Sequence, residues 1–235
     1  KPRVVRIHVE QTIANGSPAV KQKGTIDITQ NPGSIREFHS THYQFGRKDA
    51  MPGTDVIADG SFNKNAGNNM SLTNGIQHPE NFYTRGNSWS DNPPAGYSYY
   101  NLWSMDNTTT GGNDNPVVKT IYDPCPVGLK MPASNAFTGF TSNGENSGTP
   151  NAVGYFDMGR IFKSKTGTNT ASFPATGWRD DNNGSLYSVG LAALYWTIAP
   201  HDTKDGCELI FDSGGVNTLN YTYRPSGMAV RPVAE

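Results

Sequence analysis

Apolar and polar residues are interleaved along the first thirty positions. Arg3-Val-Val-Arg-Ile-His-Val-Glu10 approximates period two, as a strand with one buried face does. Ala19 to Thr29 reads as a second strand, and Asn15-Gly16-Ser17-Pro18 between them is turn chemistry. The pattern predicts a β-hairpin over 1–30, either the end of an upstream β domain or an edge hairpin of the main domain. Residues 31–235 are expected to form that main domain, with a loop-rich N-terminal half.

Within that half, Phe38 to Phe45 suggests a short strand. Asn63 to Asn74 is dense in Asn, Gly and Ser and reads as a surface loop. His78-Pro79-Glu80-Asn81 suits a short helical turn with proline near its start. An aromatic tract follows: Trp89, Tyr97, Tyr99, Tyr100 and Trp103, interleaved with Asn, Ser, Asp and Pro. Thr108 to Asn115 is a second polar loop.

The pattern changes after residue 116. Val117 to Tyr122 is strand-like. The two prolines of Asp123-Pro124-Cys125-Pro126-Val127-Gly128 fix φ and remove donors, so this segment is a rigid turn. Leu129 to Pro132 reads as a short strand. Ser134 as N-cap and Gly139 as stop bracket a short helix. Ala152 to Phe162 is compatible with a hairpin. Phe173–Arg179 and Leu186–Val189 flank a turn containing Asn183-Gly184, the strongest short-range hairpin signal. Leu194–Ile198, Glu208–Asp212 and Met228–Val233 are further strands. The expected fold class is α+β: a twisted antiparallel sheet with one or two short helices and long ordered loops.

Composition supports short strands and polar loops. The chain has 235 residues, 34% of them hydrophobic and 17% charged, with 26 glycines and 16 prolines. Gly, Pro, Asn and Thr all disfavour helix interiors. Aromatic residues at 11% supply enough buried area to exclude a disordered chain. This style is common in secreted bacterial surface proteins. A net charge of −1 with no basic patch gives no support to a nucleic-acid partner. No apolar run approaches the roughly 20 residues of a membrane helix. No signal peptide is visible, so export is inferred from composition. Cys125 and Cys207 do not form a metal-binding pair. Two alternatives stand: two buried thiols, or a disulfide closing a loop of about 80 residues, worth about 4 kcal/mol in the chain-entropy model.

The order of YDPCPVGLKMP (Tyr122–Pro132), a short helix, FPATGWRD (Phe173–Asp180), LYWT (Leu194–Thr197), ELIF (Glu208–Phe211) and GMAVRPV (Gly227–Val233) resembles the Fibrobacter succinogenes major paralogous domain. YQFGRKDAMPG (Tyr43–Gly53) is similar to a motif found upstream in the same proteins. That family occurs in exported proteins of gut Bacteroidetes, including fimbrillin-like tip adhesins. The resemblance covers about residues 40–235 and implies a C-type lectin-like fold and a role in surface adhesion or glycan binding. Many relatives end in Val-Arg-Cys-Val, where this chain has Pro232. A bond from Cys125 to that terminal cysteine would be lost here, leaving Cys207 as the substitute partner or none.

Two candidate binding features emerge. Sugar rings present apolar C–H faces that stack on Trp and Tyr, while Asn and Asp bond the hydroxyls. Trp89, Tyr97, Tyr99, Tyr100 and Trp103 offer that chemistry; the competing reading is a mini-core that pins a long loop. Trp178 and Arg179 are the second candidate, against a core tryptophan and an arginine paired with a carboxylate. Asp202-Thr-Lys-Asp205-Gly-Cys-Glu208 has a faint calcium-loop look without the proper spacing. The histidines are dispersed, and no metal or other cofactor is expected. The chain lacks a Gly-x-Ser-x-Gly elbow, a P-loop, a His-Glu-x-x-His pair and a dinucleotide glycine fingerprint. The expectation is a non-catalytic, extracellular binding or adhesion module of a fimbrial tip protein or surface lipoprotein. Its expected partners are a glycan or host surface protein, and other pilus subunits. The alternative is a structural fimbrial subunit that assembles by strand exchange.

Overall fold

The computed structural model describes residues 3–13, 20–30, 40–54, 62–90, 101–104, 106, 108, 114–164 and 166–235. The chain divides into two compact units, Lys1–Phe38 and His39–Glu235.

The first unit holds β1 (Arg3–Ile13) and β2 (Val20–Gln30), antiparallel and in register from Arg3↔Gln30 to Ile13↔Val20. Arg6 and Asp27 face each other across the pair, and the guanidinium forks onto the carboxylate at 2.7 and 2.8 Å. The predicted turn at Asn15–Pro18 lies outside the described residues.

The second unit is mostly β, with two short helices and open sheets. Its strands are β3 (Tyr43–Gln44), β4 (Leu129–Lys130), β5 (Ser147–Gly148), β6 (Ala152–Val153), β7 (Gly159–Lys163), β8 (Thr170–Pro174), β9 (Trp178–Arg179), β10 (Leu186–Tyr187), β11 (Ala193–Pro200), β12 (Asp205–Phe211), β13 (Val216–Tyr223), β14 (Gly227–Val230) and β15 (Val233–Ala234). The main sheet runs β10-β9-β14-β11-β12-β13-β5, and β3 also pairs with β14. Every pairing in it is antiparallel except β11 with β14. A three-stranded sheet β6-β7-β8 and the pair β15-β4 complete the unit.

β11 explains where the core sits. All eight of its residues are buried, as expected of a strand covered on both faces. Its side chains alternate between two clusters. Ala193 and Tyr195 join Phe137, Phe162, Phe173, Leu209, Phe211, Val216 and Ala229. Leu194, Trp196 and Ile198 join Phe45, Trp103, Cys125, Met131 and Met228. The first cluster is built on rings: Phe140 stacks on Phe162 at 4.1 Å, and Phe173 meets Phe162 and Tyr195 edge-on.

Buried hydrogen bonds fix the Tyr43–Gly53 segment. The Gln44 amide donates to the Tyr83 and Pro225 carbonyls at 2.8 and 2.6 Å. Arg47 donates to Gln44, to the Asn81 carbonyl and to the Asp49 carboxylate. The turn after Tyr122 closes on Asp123, whose carboxylate accepts from the Cys125 and Met131 amides at 2.7 and 3.0 Å.

Four local expectations are corrected. The N-terminal helix, α1, is Leu72–Gln77 and lies partly inside the expected loop Asn63–Asn74; the Ser71 hydroxyl caps it by accepting from the Asn74 amide. His78–Asn81 forms the expected short turn, closed by the Asn81 amide on the His78 carbonyl at 3.1 Å. Val117–Tyr122 is not a strand, and Lys119 makes an isolated bridge to Ser104. Ser134 is not a cap: it begins a 3₁₀ helix, Ser134–Phe140, and donates its hydroxyl to Asp114. No strand was expected at β13, yet it pairs with β12 over most of its length.

Candidate functional site

The aromatic tract splits by burial. Trp103 is 0% exposed, and its indole N–H donates to the Arg47 carbonyl at 2.9 Å. Its ring packs against Phe45 at 5.0 Å. Trp89 is also buried, against Met70 and Tyr83. Neither ring offers a face to a ligand, so the stacking role expected of these two is corrected. Burial of large rings outweighed their display. Tyr97, Tyr99 and Tyr100 lie outside the described residues.

The second candidate pair also divides. Arg179 is fully buried and braces the fold, donating to the carbonyls of Pro52, Gly184 and Thr54. Its guanidinium lies 4.6 Å from the Phe62 ring centroid. A guanidinium held by carbonyls in the core cannot reach a ligand, which corrects that expectation. Trp178 is half-buried. One side packs toward the second core cluster, and its ring stacks with Tyr187 across the β9–β10 pair at 6.2 Å and 27°.

This pair begins an apolar face. Tyr187 is 45% exposed, and Val189, Leu191 and Met158 are also exposed large hydrophobics. The backbone is held in an uncommon form here. Ser188 and Met158 both have positive φ, 53° and 56°, a region non-glycine residues seldom occupy. Gly177, with φ 63°, lets the chain approach closely: a side-chain carbon there would sit 2.2 Å from the Tyr187 carbonyl oxygen. Beside the pair, the turn Asp180–Ser185 exposes Asn182 and Asn183. Asp180 accepts from the Asn182 and Asn183 amides and Asn183 from the Ser185 amide, so the turn orders itself. Tyr187, Val189, Leu191 and Met158 were not singled out from sequence. The signal was present in Leu186-Tyr-Ser-Val-Gly-Leu191, an apolar run beside an Asn-Gly turn.

The cysteines are both buried thiols, and no disulfide joins them, which corrects the disulfide alternative. Cys125 sits in the turn ordered by Asp123, whereas Cys207 lies in mid-β12 opposite Tyr221. Burial, with the Asp123 carboxylate next to it, pushes the Cys125 thiol far above its ordinary range.

A cluster of ionisable groups lies where β11 passes into β12. Donor atoms of His201, Asp202 and Asp205 all fall within 4.8 Å of one another. The His201 ring lies flat on Tyr221, with centroids 3.8 Å apart. Desolvation pushes the Asp202 carboxyl up, but the Lys204 and Asp205 amides and His201 outweigh it and hold it below its ordinary value. Arg224 donates to the carbonyls of Asp202 and Asp205 from beneath the loop. Burial lowers it to about 10, with Asp202 and Asp205 acting in opposition. In β12, burial pushes Glu208 up to about 8, against a hydrogen bond from the Asn220 amide at 2.7 Å.

No helix among the described residues is long and apolar enough to cross a membrane. No protein-family model, curated protein or solved structure matches this chain.

Proposed function

We propose that this chain is a non-catalytic binding module of the bacterial cell exterior with a C-type lectin-like frame, part of a fimbrial tip protein or surface lipoprotein. Its ligand is a glycan, held on the face that starts at Trp178 and Tyr187. The observation that carries this reading is the stacked, half-exposed Trp178–Tyr187 pair beside a turn that presents Asn182 and Asn183. A sugar ring stacks its apolar face on such a platform, and exposed amides bond its hydroxyls. A few polar groups next to apolar rings is the usual make-up of a small-ligand site. Fold resemblance alone carries no function, so the claim rests on these side chains.

The test is a glycan array run beside a panel of host matrix proteins, with the parent chain, Tyr187→Ala and Asn183→Ala. Selective glycan retention by the parent, lost in Tyr187→Ala, is the expected result. Retention unchanged in both variants removes the site. Binding to a matrix protein alone moves the ligand class from glycan to host protein.

A second reading is a structural fimbrial subunit. Among the described residues, β1 and β2 pair only with each other over eleven positions. A two-stranded ribbon with open edges is a template for strand addition by another subunit. Size-exclusion of the chain with and without residues 1–30 separates the readings: assembly that needs the hairpin supports the structural role, and a monomer in both removes it.

A further inference from the structure

The loop from β11 to β12 brings together three side chains that chelate metals. We propose that His201, Asp202 and Asp205 bind a first-row divalent transition ion of the Zn²⁺ class. This claim stands apart from the glycan reading.

Geometry is the first support. His201 Nδ1 lies 3.6 Å from Asp202 Oδ2, too far for a hydrogen bond. A tetrahedral ion with bonds of about 2.1 Å sets its donor atoms about 3.4 Å apart. The two atoms are therefore spaced as neighbours around one ion. The remaining donor separations are all within 4.8 Å.

The state of the imidazole is the second support. His201 Nδ1 is shut off from water and makes no hydrogen bond among the described residues. A buried polar nitrogen without a partner costs roughly 1–3 kcal/mol. An ion at this point would supply the missing partner. Meanwhile Tyr221 holds the ring plane, with only 9° between the two rings, so the nitrogen is aimed before any ion arrives. Ligand histidines are commonly oriented by contacts outside the coordination shell.

Donor chemistry selects the ion. One imidazole nitrogen with two carboxylates suits Zn²⁺, Mn²⁺ or Ni²⁺. Calcium needs six to eight oxygens. This loop directs its nearby carbonyls elsewhere: Asp205 O accepts from the His201 and Asp202 amides and from Arg224, which also takes Asp202 O. Asp202 Oδ1 accepts from the Lys204 and Asp205 amides, leaving Oδ2 for an ion. The Asp202 side chain is 48% exposed, so an ion arriving from solvent meets this carboxylate first.

The test is calorimetric titration of the metal-stripped chain with Zn²⁺ and, separately, Ca²⁺. One saturable Zn²⁺ site and no Ca²⁺ site are expected. His201→Phe keeps a ring on Tyr221 but removes both nitrogens. It should weaken Zn²⁺ by more than the roughly 10–100-fold that loss of an outer-shell contact costs. Asp202→Asn, which keeps the amide-accepting oxygen, should weaken it likewise, and serves if His201→Phe lacks the parent's near-UV circular dichroism. No saturable Zn²⁺ binding, a preference for Ca²⁺, or a Zn²⁺ isotherm unchanged in a folded variant would overturn the proposal.

Discussion

His201 lies face to face with Tyr221, their ring centroids 3.8 Å apart and their planes 9° from parallel. Tyr221 sits in β13 and His201 just past the end of β11, so the stack ties a loop to a strand two positions away in the sheet. Tyr221→Ala should lower stability by about 0.5–1.5 kcal/mol, the usual worth of an aromatic pair. Denaturant unfolding checks this: the midpoint should fall while the m-value stays constant.

Glu208 makes stability depend on pH from the alkaline side. Its folded pKa is raised from 4.5 to about 8, chiefly by burial. The folded state therefore holds the proton more tightly than the unfolded chain does. The stabilisation is full below pH 4.5 and is lost as pH rises through about 8, by on the order of a few kcal/mol. Glu208→Gln, which keeps an oxygen for the Asn220 amide, should flatten the slope above pH 6.5 and exceed the parent in stability above pH 8.

His42 acts in the opposite sense. It is fully buried, Nε2 lies 3.2 Å from the Thr176 carbonyl, and burial lowers its pKa from 6.5 to about 4. Stability from the neutral ring is present above pH 6.5 and is lost as pH falls through about 4, by on the order of 3 kcal/mol. Between pH 4.5 and 6.5 the two groups oppose each other, so the parent profile is flatter than either variant's. Unfolding of His42→Gln across pH 3–8 should show a weaker acid limb.

Gly206 is required for space, not for backbone freedom. A side-chain carbon there would sit 2.3 Å from Phe45 Cδ2, a ring already wedged against Trp103 and Trp196. Gly206→Ala should cost about 1–3 kcal/mol, the range for overpacking a filled core. Thermal unfolding measures it.

The two cysteines give a simpler expectation. With both thiols buried and unbridged, a reductant should leave the thermal midpoint of the chain unchanged. Thiol labelling at Cys125 should proceed only as fast as the fold opens.

The strands around β11 and β12 were legible because their residues alternate or run apolar over lengths that only a strand fits. The β9–β10 hairpin was legible from Asn183-Gly184 alone. β13 was missed because Val216-Asn-Thr-Leu-Asn-Tyr-Thr-Tyr223 is half polar, and only its two neighbours make that polarity tolerable. The fate of the tryptophans was not legible. Trp103 is buried because its N–H finds a carbonyl 56 residues earlier, and Trp196 donates to Tyr43 O across 153. Local sequence carries no trace of such partners. The His201 cluster was half visible as an acidic loop. What was missing was the ring, one residue earlier, that Tyr221 turns toward it.

β14 is only four residues long, yet β3, β9 and β11 all pair with it. Tyr43 and Met228 are register partners, and Tyr195 aligns with Ala229. Three strands scattered over the second unit thus share a support that leaves the ribosome after all of them. Until Gly227–Val230 emerges, β3 has no strand partner among the described residues and β11 keeps one edge open. Assembly that waits on such distant contacts is slow and leaves sticky edges exposed on the way. A chain cut just before Gly227 loses few atoms, but it loses the point at which its early and late segments are joined.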